Sequence, residues 1–300
     1  MQSIERNCPI CGNSGSSALF ANAKIDSRQL DQFAFASRKT PEYMHHRLMI
    51  CKACDLVYAS PVPVVDELHA AYVDAAFDSG TEAAYAARTY GRIVDRLLSR
   101  LPSREGAVDI GAGDGAFLRE LLDRNFQSVI GIEPSAAPIA AASPEIRPLI
   151  RSGIFEAGSM PAESCALVTC FQTIEHVSDP LEMCREVLRI LKQGGAICLV
   201  GHNRRSLSAR ALGFRSPIFD IEHLQLFSKV SFRQLLSAAG FSQIQVFPFW
   251  NRYPTAYWTR LFPFPGPIKR LLLKSLTVTG CGKIPLGLPA GNLVAVGFKY

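Results

Sequence analysis

Two pairs of cysteines, two Glu-His pairs and one Asp-led glycine turn are the groups in this chain whose types and spacing could do chemistry. Cys8-Pro9-Ile10-Cys11 and Cys51-Lys52-Ala53-Cys54 each place two thiolates on one side of a turn. Two such knuckles complete a tetrahedral all-sulfur zinc site, and a closed set of four ligands makes the metal structural rather than catalytic. A redox pair is the alternative for either knuckle. His45 and His46 lie between the pairs and read as surface residues, not ligands. Glu175-His176 and Glu222-His223 each set a carboxylate beside an imidazole, the side chains suited to take a proton near neutral pH. They compete for the role of catalytic base. The first pair reads equally as a turn that caps the next helix.

The glycine turn runs Asp109-Ile110-Gly111-Ala112-Gly113-Asp114-Gly115. Glycines at every second position let a strand turn sharply while its backbone comes close to a nucleotide. That spacing alone also satisfies the dinucleotide fingerprint. Asp109 tips the balance, because a carboxylate there repels a pyrophosphate and suits the ammonium and sulfonium of S-adenosylmethionine. Glu133, followed by Pro134, ends the next strand and can accept bonds from both ribose hydroxyls. The expected cofactor residues are therefore Asp109, Gly111, Ala112, Gly113, Gly115, Glu133 and Pro134.

A doubly wound sheet must position these groups. Short apolar runs at 107–110, 128–132, 146–150, 166–170, 196–200, 244–249 and 293–298 read as seven strands. Helical periodicity at 66–101, 116–122, 136–142, 181–191 and 229–239 interleaves with them. The expected fold is α/β: a Rossmann-like seven-stranded sheet preceded by a small zinc-ribbon-like module. The division is 1–62 for the module, 63–103 for a helical linker or lid, and 104–300 for the catalytic domain, with an aromatic insertion at 250–291. With 300 residues, 48% hydrophobic and 19% charged, the chain is globular rather than disordered. Neither a signal peptide nor a spanning apolar run is expected, and the nine cysteines suit the reducing cytoplasm. Cys165, Cys170, Cys184, Cys198 and Cys281 read as small core residues.

The series formed by 109–115, Glu133, Cys170-Phe171-Gln172 and the 175–180 turn resembles the motifs of class I methyltransferases over residues 104–245. The resemblance implies a last strand that is antiparallel and a cofactor over the strand ends. It places Ile154 and Phe155 beside the adenine, and Phe171 and Gln172 near the methionine moiety. With the cysteine pairs ahead of it, the chain is similar to bacterial sugar and polysaccharide-precursor methyltransferases, in which a pair like Glu222-His223 moves a proton. In some relatives a Glu-His pair and a later His hold a divalent metal. Gln172 stands here where those have a carboxylate.

The expected acceptor is a small molecule, sugar-containing and anionic, a nucleotide sugar or lipid-linked precursor methylated on carbon or oxygen. Arg204, Arg205, Arg210 and Arg215 could fork its phosphates. Two other readings remain: an rRNA methyltransferase with a zinc module, and a cofactor-binding protein without catalysis. The net charge of +6 comes without a basic stripe, which speaks against DNA and weakens RNA. Aromatic and basic residues over 250–276 could lid the pocket or rest on a membrane interface.

Overall fold

In the computed structural model, residues 3–13, 15–26, 43–64, 80–262 and 264–300 are described. The part of the expected helix at 65–79 lies outside them. Of the remainder, Gly80–Asp95 is helix α1 and residues 96–101 form turns and a bend instead. The catalytic sheet contains β6 (Glu105–Ile110), β7 (Gln127–Glu133), β8 (Ile150–Ser152), β9 (Cys165–Phe171), β10 (Leu191–His202), β12 (Ser242–Pro254) and β13 (Pro285–Phe298). Their order across the seven-stranded sheet is β12-β13-β10-β9-β6-β7-β8. The five strands from β10 to β8 are parallel, and β13 runs antiparallel to both neighbours, as the resemblance implied.

Side chains alternate across this sheet as the pleat demands. Val108 and Ile110 of β6 and Ile197 and Leu199 of β10 join one core with α4 (Pro180–Ile190) and α6 (Lys229–Ala239). Ala107, Ala196, Cys198 and Val200 join the other, with α1 and α2 (Ala116–Asp123). Both faces are covered, which is why the central strands read as continuous apolar runs. Asp179 caps α4, its carboxylate accepting from the Glu182 N–H at 2.9 Å. Ser228 and Ser231 form a reciprocal cap at the start of α6.

The N-terminal residues contribute β2 (Ser17–Ala21), β3 (Leu48–Cys51) and β4 (Val57–Ala59) to a four-stranded sheet, and β1 (Ser3–Ile4) pairs with β5 (Val62–Pro63). The fourth strand of that sheet is β11 (Gln225–Leu226), which lies in the catalytic half of the sequence. Module and catalytic domain are therefore joined by backbone hydrogen bonds. The buried Arg6 guanidinium strengthens the joint by donating to the carbonyls of Ala59, Ser178 and Leu224 and to Gln225 Oε1 at 2.8–3.1 Å. Burial pulls it down to about 10, still charged at neutral pH.

The strand expected at 146–150 is only Ile150–Ser152, preceded by a turn at Arg147–Leu149, and His45 is buried rather than at the surface. Three further expectations need correction. β12 and β13 extend past the expected strands into a long antiparallel ribbon, so the helical insertion is only α7 (Thr255–Leu261) and α8 (Gly266–Val278). Cys281 is exposed, not core, whereas the other four unpaired cysteines are buried. Arg204 and Arg205 both ion-pair with Asp55, which occupies their forks and removes them as free phosphate ligands.

Candidate active site and metal centre

A cavity of about 950 Å³ lies over the carboxyl ends of β6, β7 and β9, where open parallel sheets place their ligands. Asp109, Gly111, Ala112, Gly113, Glu133, Pro134, Ile154, Phe155, Phe171 and Gln172 line it, gathering all but one of the residues expected to hold the cofactor. The exception is Gly115, which falls outside the wall. A Cβ there would run into Ile146, so Gly115 serves the turn into α2 rather than a ligand. Gly113 has φ +57°, and its missing Cβ leaves open space, the form of a backbone cradle.

Glu133 braces this cradle. Its Oε2 accepts from the Gly113 N–H at 2.8 Å and its Oε1 from the Ser135 N–H at 2.9 Å. Each carboxylate oxygen has a further lone pair, so the bracing is compatible with receiving ribose hydroxyls. Burial raises its carboxyl above the usual range, against those two donors. Asp109 is more extreme. Burial pushes it up to about 8, although Thr169 Oγ1 donates to it at 2.6 Å. Burial favours the neutral carboxyl in the empty cavity, and an ammonium placed beside it would favour the carboxylate. Gln172, at φ +55°, carries a buried Nε2 donor with no hydrogen-bond partner. This pattern fits S-adenosylmethionine: a carboxyl for its ammonium, an orphan donor for its carboxylate, and an open backbone turn.

Across the cavity stand His176, His202, Glu222 and His223. His176 and His223 have ring centroids 5.0 Å apart, and His202 and His223 5.1 Å. Each ring is oriented through Nδ1: His176 to the Glu222 carbonyl at 3.1 Å, His223 to the Ile218 carbonyl at 2.9 Å, His202 to Asn292 Oδ1 at 2.9 Å. A carbonyl oxygen only accepts, so in the neutral ring Nδ1 holds the proton and the basic lone pair sits on Nε2. Glu222 Oε2 lies 3.8 Å from His176 Nδ1. Asp220 shapes the turn, its carboxylate and its carbonyl accepting from the N–H groups of Glu222 and His223.

Glu175, one of the four expected catalytic residues, is not part of this wall. It is fully buried, and its Oε1 accepts from the His202 N–H at 2.5 Å. Its carbonyl accepts from the Leu224 and Gln225 N–H groups, so it fastens the two histidine-bearing loops together. A Cβ on Gly201 would strike the same carboxylate, which requires glycine there. His202 and Asn292 were missed by sequence reasoning. The available signal for His202 was its place at the end of an apolar strand.

The four knuckle cysteines converge, their Sγ atoms all within 4.8 Å of one another. Cys8 and Cys54 are 3.4 Å apart and Cys11 and Cys51 3.5 Å, too far for a disulfide at about 2.05 Å. A tetrahedral zinc with bonds of about 2.3 Å sets sulfurs roughly 3.8 Å apart, so the cluster is compatible with that ion. Neither His45 nor His46 belongs to it.

A methyltransferase-domain family model matches residues 83–246, more than half of the chain. The chain belongs to this family of methyltransferase domains and has the class I fold. Among curated proteins it is similar to a ubiquinone biosynthesis O-methyltransferase of Pseudomonas fluorescens, 33% identical over 106 residues, 32% of this chain and 44% of that protein. The chain thus spans under half the length of that relative. A probable S-adenosylmethionine-dependent methyltransferase of Mycolicibacterium smegmatis is 28% identical over 52% of this chain and 59% of its own. Among solved structures, a complex of a Haloferax volcanii methyltransferase activator with a putative methyltransferase matches with a TM-score of 0.50. It is 19% identical, covers 79% of this chain and 99% of the matched one, and supports the fold alone.

Proposed function

We propose that this enzyme methylates a hydroxyl of a small acceptor with a large apolar body, with Glu222 and His223 serving its deprotonation. The observation that carries the reading is the His176–His202–Glu222–His223 cluster, which lines the same cavity as the Asp109 turn. When bound, S-adenosylmethionine supplies an electrophilic methyl carbon on a sulfonium. Asp109, Phe171 and Gln172 would hold the methionine end, Gly111 to Gly113 the nucleoside, Glu133 the ribose, and Pro134, Ile154 and Phe155 the adenine. His223 takes the acceptor proton on Nε2, Glu222 favours the imidazolium that forms, and His176 keeps the pair in place. In-line placement of the hydroxyl supplies much of the rate, and a positioned base adds roughly 10²–10⁴-fold.

The acceptor's body is argued from the wall. No Lys or Arg lines the cavity among the described residues, whereas Tyr90, Phe117, Tyr253, Tyr257, Trp258 and Phe262 do. A free nucleotide sugar would bring a diphosphate with no counter-charge, so the reading moves to a neutral acceptor. The O-methyltransferase name of the Pseudomonas relative supports oxygen as the atom methylated. A lipid-linked sugar is the second reading, favoured by the cysteine cluster ahead of the fold and the Glu222-His223 pair. The cluster itself holds structural zinc.

Calorimetry with S-adenosylmethionine on the native chain and on Asp109→Ala tests the cofactor half. Abolished binding in the variant is expected, and unchanged affinity overturns the assignment. Labelled-methyl transfer to hydroxylated prenyl aromatics, polyprenyl-linked sugars and nucleotide sugars tests the acceptor half. Equal turnover of nucleotide sugars would refute the apolar-body argument.

A further inference from the structure

The segment that carries the aromatic end of the cavity also carries an apolar surface facing out. α8 has no buried side chain. Ile268, Leu271, Leu272 and Val278 lie on one of its faces at helical spacing, with Leu271 69% and Val278 79% exposed. Phe262 (59%), Phe264 and Ile284 continue that surface, and Trp250 is exposed at the edge of the ribbon. Arg252, Arg260, Lys269, Arg270, Lys274 and Lys283 are distributed through the same stretch. Not one Asp or Glu follows Glu222 to the end of the sequence. An exposed apolar helix face with basic flanks and no acid is the pattern of a helix lying in a headgroup layer. No helix among the described residues is long and apolar enough to cross a membrane, so the contact is one of resting on the surface.

The same segment touches the cavity from inside. Tyr257, Trp258, Leu261 and Phe262 of the α7 end line it, and Phe262 is both lining and exposed. Trp258 Nε1 donates to the Leu286 carbonyl at 2.8 Å, tying α7 to the ribbon. Gly282 lets α8 close in, since a Cβ there would press on Leu276 and Ala256.

We propose that the α7–α8 face seats on an anionic phospholipid bilayer, and that the acceptor passes from the bilayer past Phe262 into the cavity. Basic residues near such a surface draw the protein on, and the Ile268–Leu271–Leu272 face settles at the acyl boundary. The acceptor's entry rests on the apolar-body reading above; the docking itself does not.

Flotation with vesicles of phosphatidylcholine alone, and of phosphatidylcholine mixed with phosphatidylglycerol, is the test. The native chain should float only with the mixed vesicles, and high salt should release it. Lys269→Glu/Arg270→Glu/Lys274→Glu should weaken that binding by roughly a hundredfold or more. Leu271→Ser, which leaves every charge in place, should also lose it. S-adenosylmethionine binding, measured on both variants, should match the native chain and certify that they fold. Equal flotation with both vesicle types, no flotation, or native flotation of both variants would overturn the proposal. So would retention on RNA without flotation, which would mark a nucleic-acid surface instead. Failure of the acceptor reading appears separately, as vesicle binding intact but no turnover of apolar acceptors.

Discussion

Replacing Asp109 by asparagine should stabilise the cofactor-free protein while destroying its affinity for S-adenosylmethionine. In the folded chain, burial lifts this carboxyl from 3.8 to about 8. Between those values the folded state binds a proton that the unfolded state has released, so stability falls as pH rises through the window. Each pH step within it costs about 1.4 kcal/mol, which makes the penalty at pH 7 roughly 4 kcal/mol relative to acid. Asparagine keeps an oxygen for the Thr169 hydroxyl and has nothing to ionise. Urea melts of both proteins at intervals from pH 4 to pH 8 should show the variant gaining on the native chain at every step. The gap should be near zero at the acid end and level off above the folded value. The other raised carboxyls, Glu133 and Glu175, are common to both proteins and largely cancel in the difference. A gap that does not change with pH would refute the reasoning, whatever its size.

His223→Ala should lower kcat by roughly 10²–10⁴-fold with S-adenosylmethionine affinity intact, read in steady-state and calorimetric assays. Glu175→Ala should instead act on the fold, costing about 1–3 kcal/mol in urea melts because it orphans the His202 N–H, whereas Glu175→Gln should retain most activity. Cys51→Ser should lower the zinc content measured by atomic absorption and reduce the melting temperature, since binding energy of a structural site is folding energy. Arg6→Ala should cost about 1–3 kcal/mol, because the Ala59, Ser178 and Leu224 carbonyls each lose a donor at the joint, and should lower turnover because Ser178 lines the cavity.

The catalytic sheet was legible because its strands alternate in the sequence as they do in space, as Ala107 and Val108 on opposite cores show. The Asp109 turn and the cysteine knuckles were legible because each is local, with every informative residue within a few positions. What hid was either non-local or disguised. Asp55 ion-pairs with both Arg204 and Arg205 from far away in the chain, and no spacing reveals such a pairing. The ribbon does alternate, Asn251 and Tyr253 buried while Trp250 and Arg252 are exposed, but proline and glycine at 285–291 read as breakers. Glu175 and His176 are neighbours in sequence with opposite fates, because one residue turns into the core and the next into the cavity. A pair motif cannot say which member faces out.

The strand that β11 lends to the N-terminal sheet sets an order of events during synthesis. Residues through β4 leave the ribosome long before Gln225 and Leu226 exist, so β4 waits with one edge open. An open edge is a template for wrong partners, and Arg6 lacks two of its acceptors, Leu224 and Gln225, over the same interval. The N-terminal sheet is thus completed only once Gln225 and Leu226 are made. Fragments that stop short of residue 226 should aggregate, even though they contain every cysteine of the cluster.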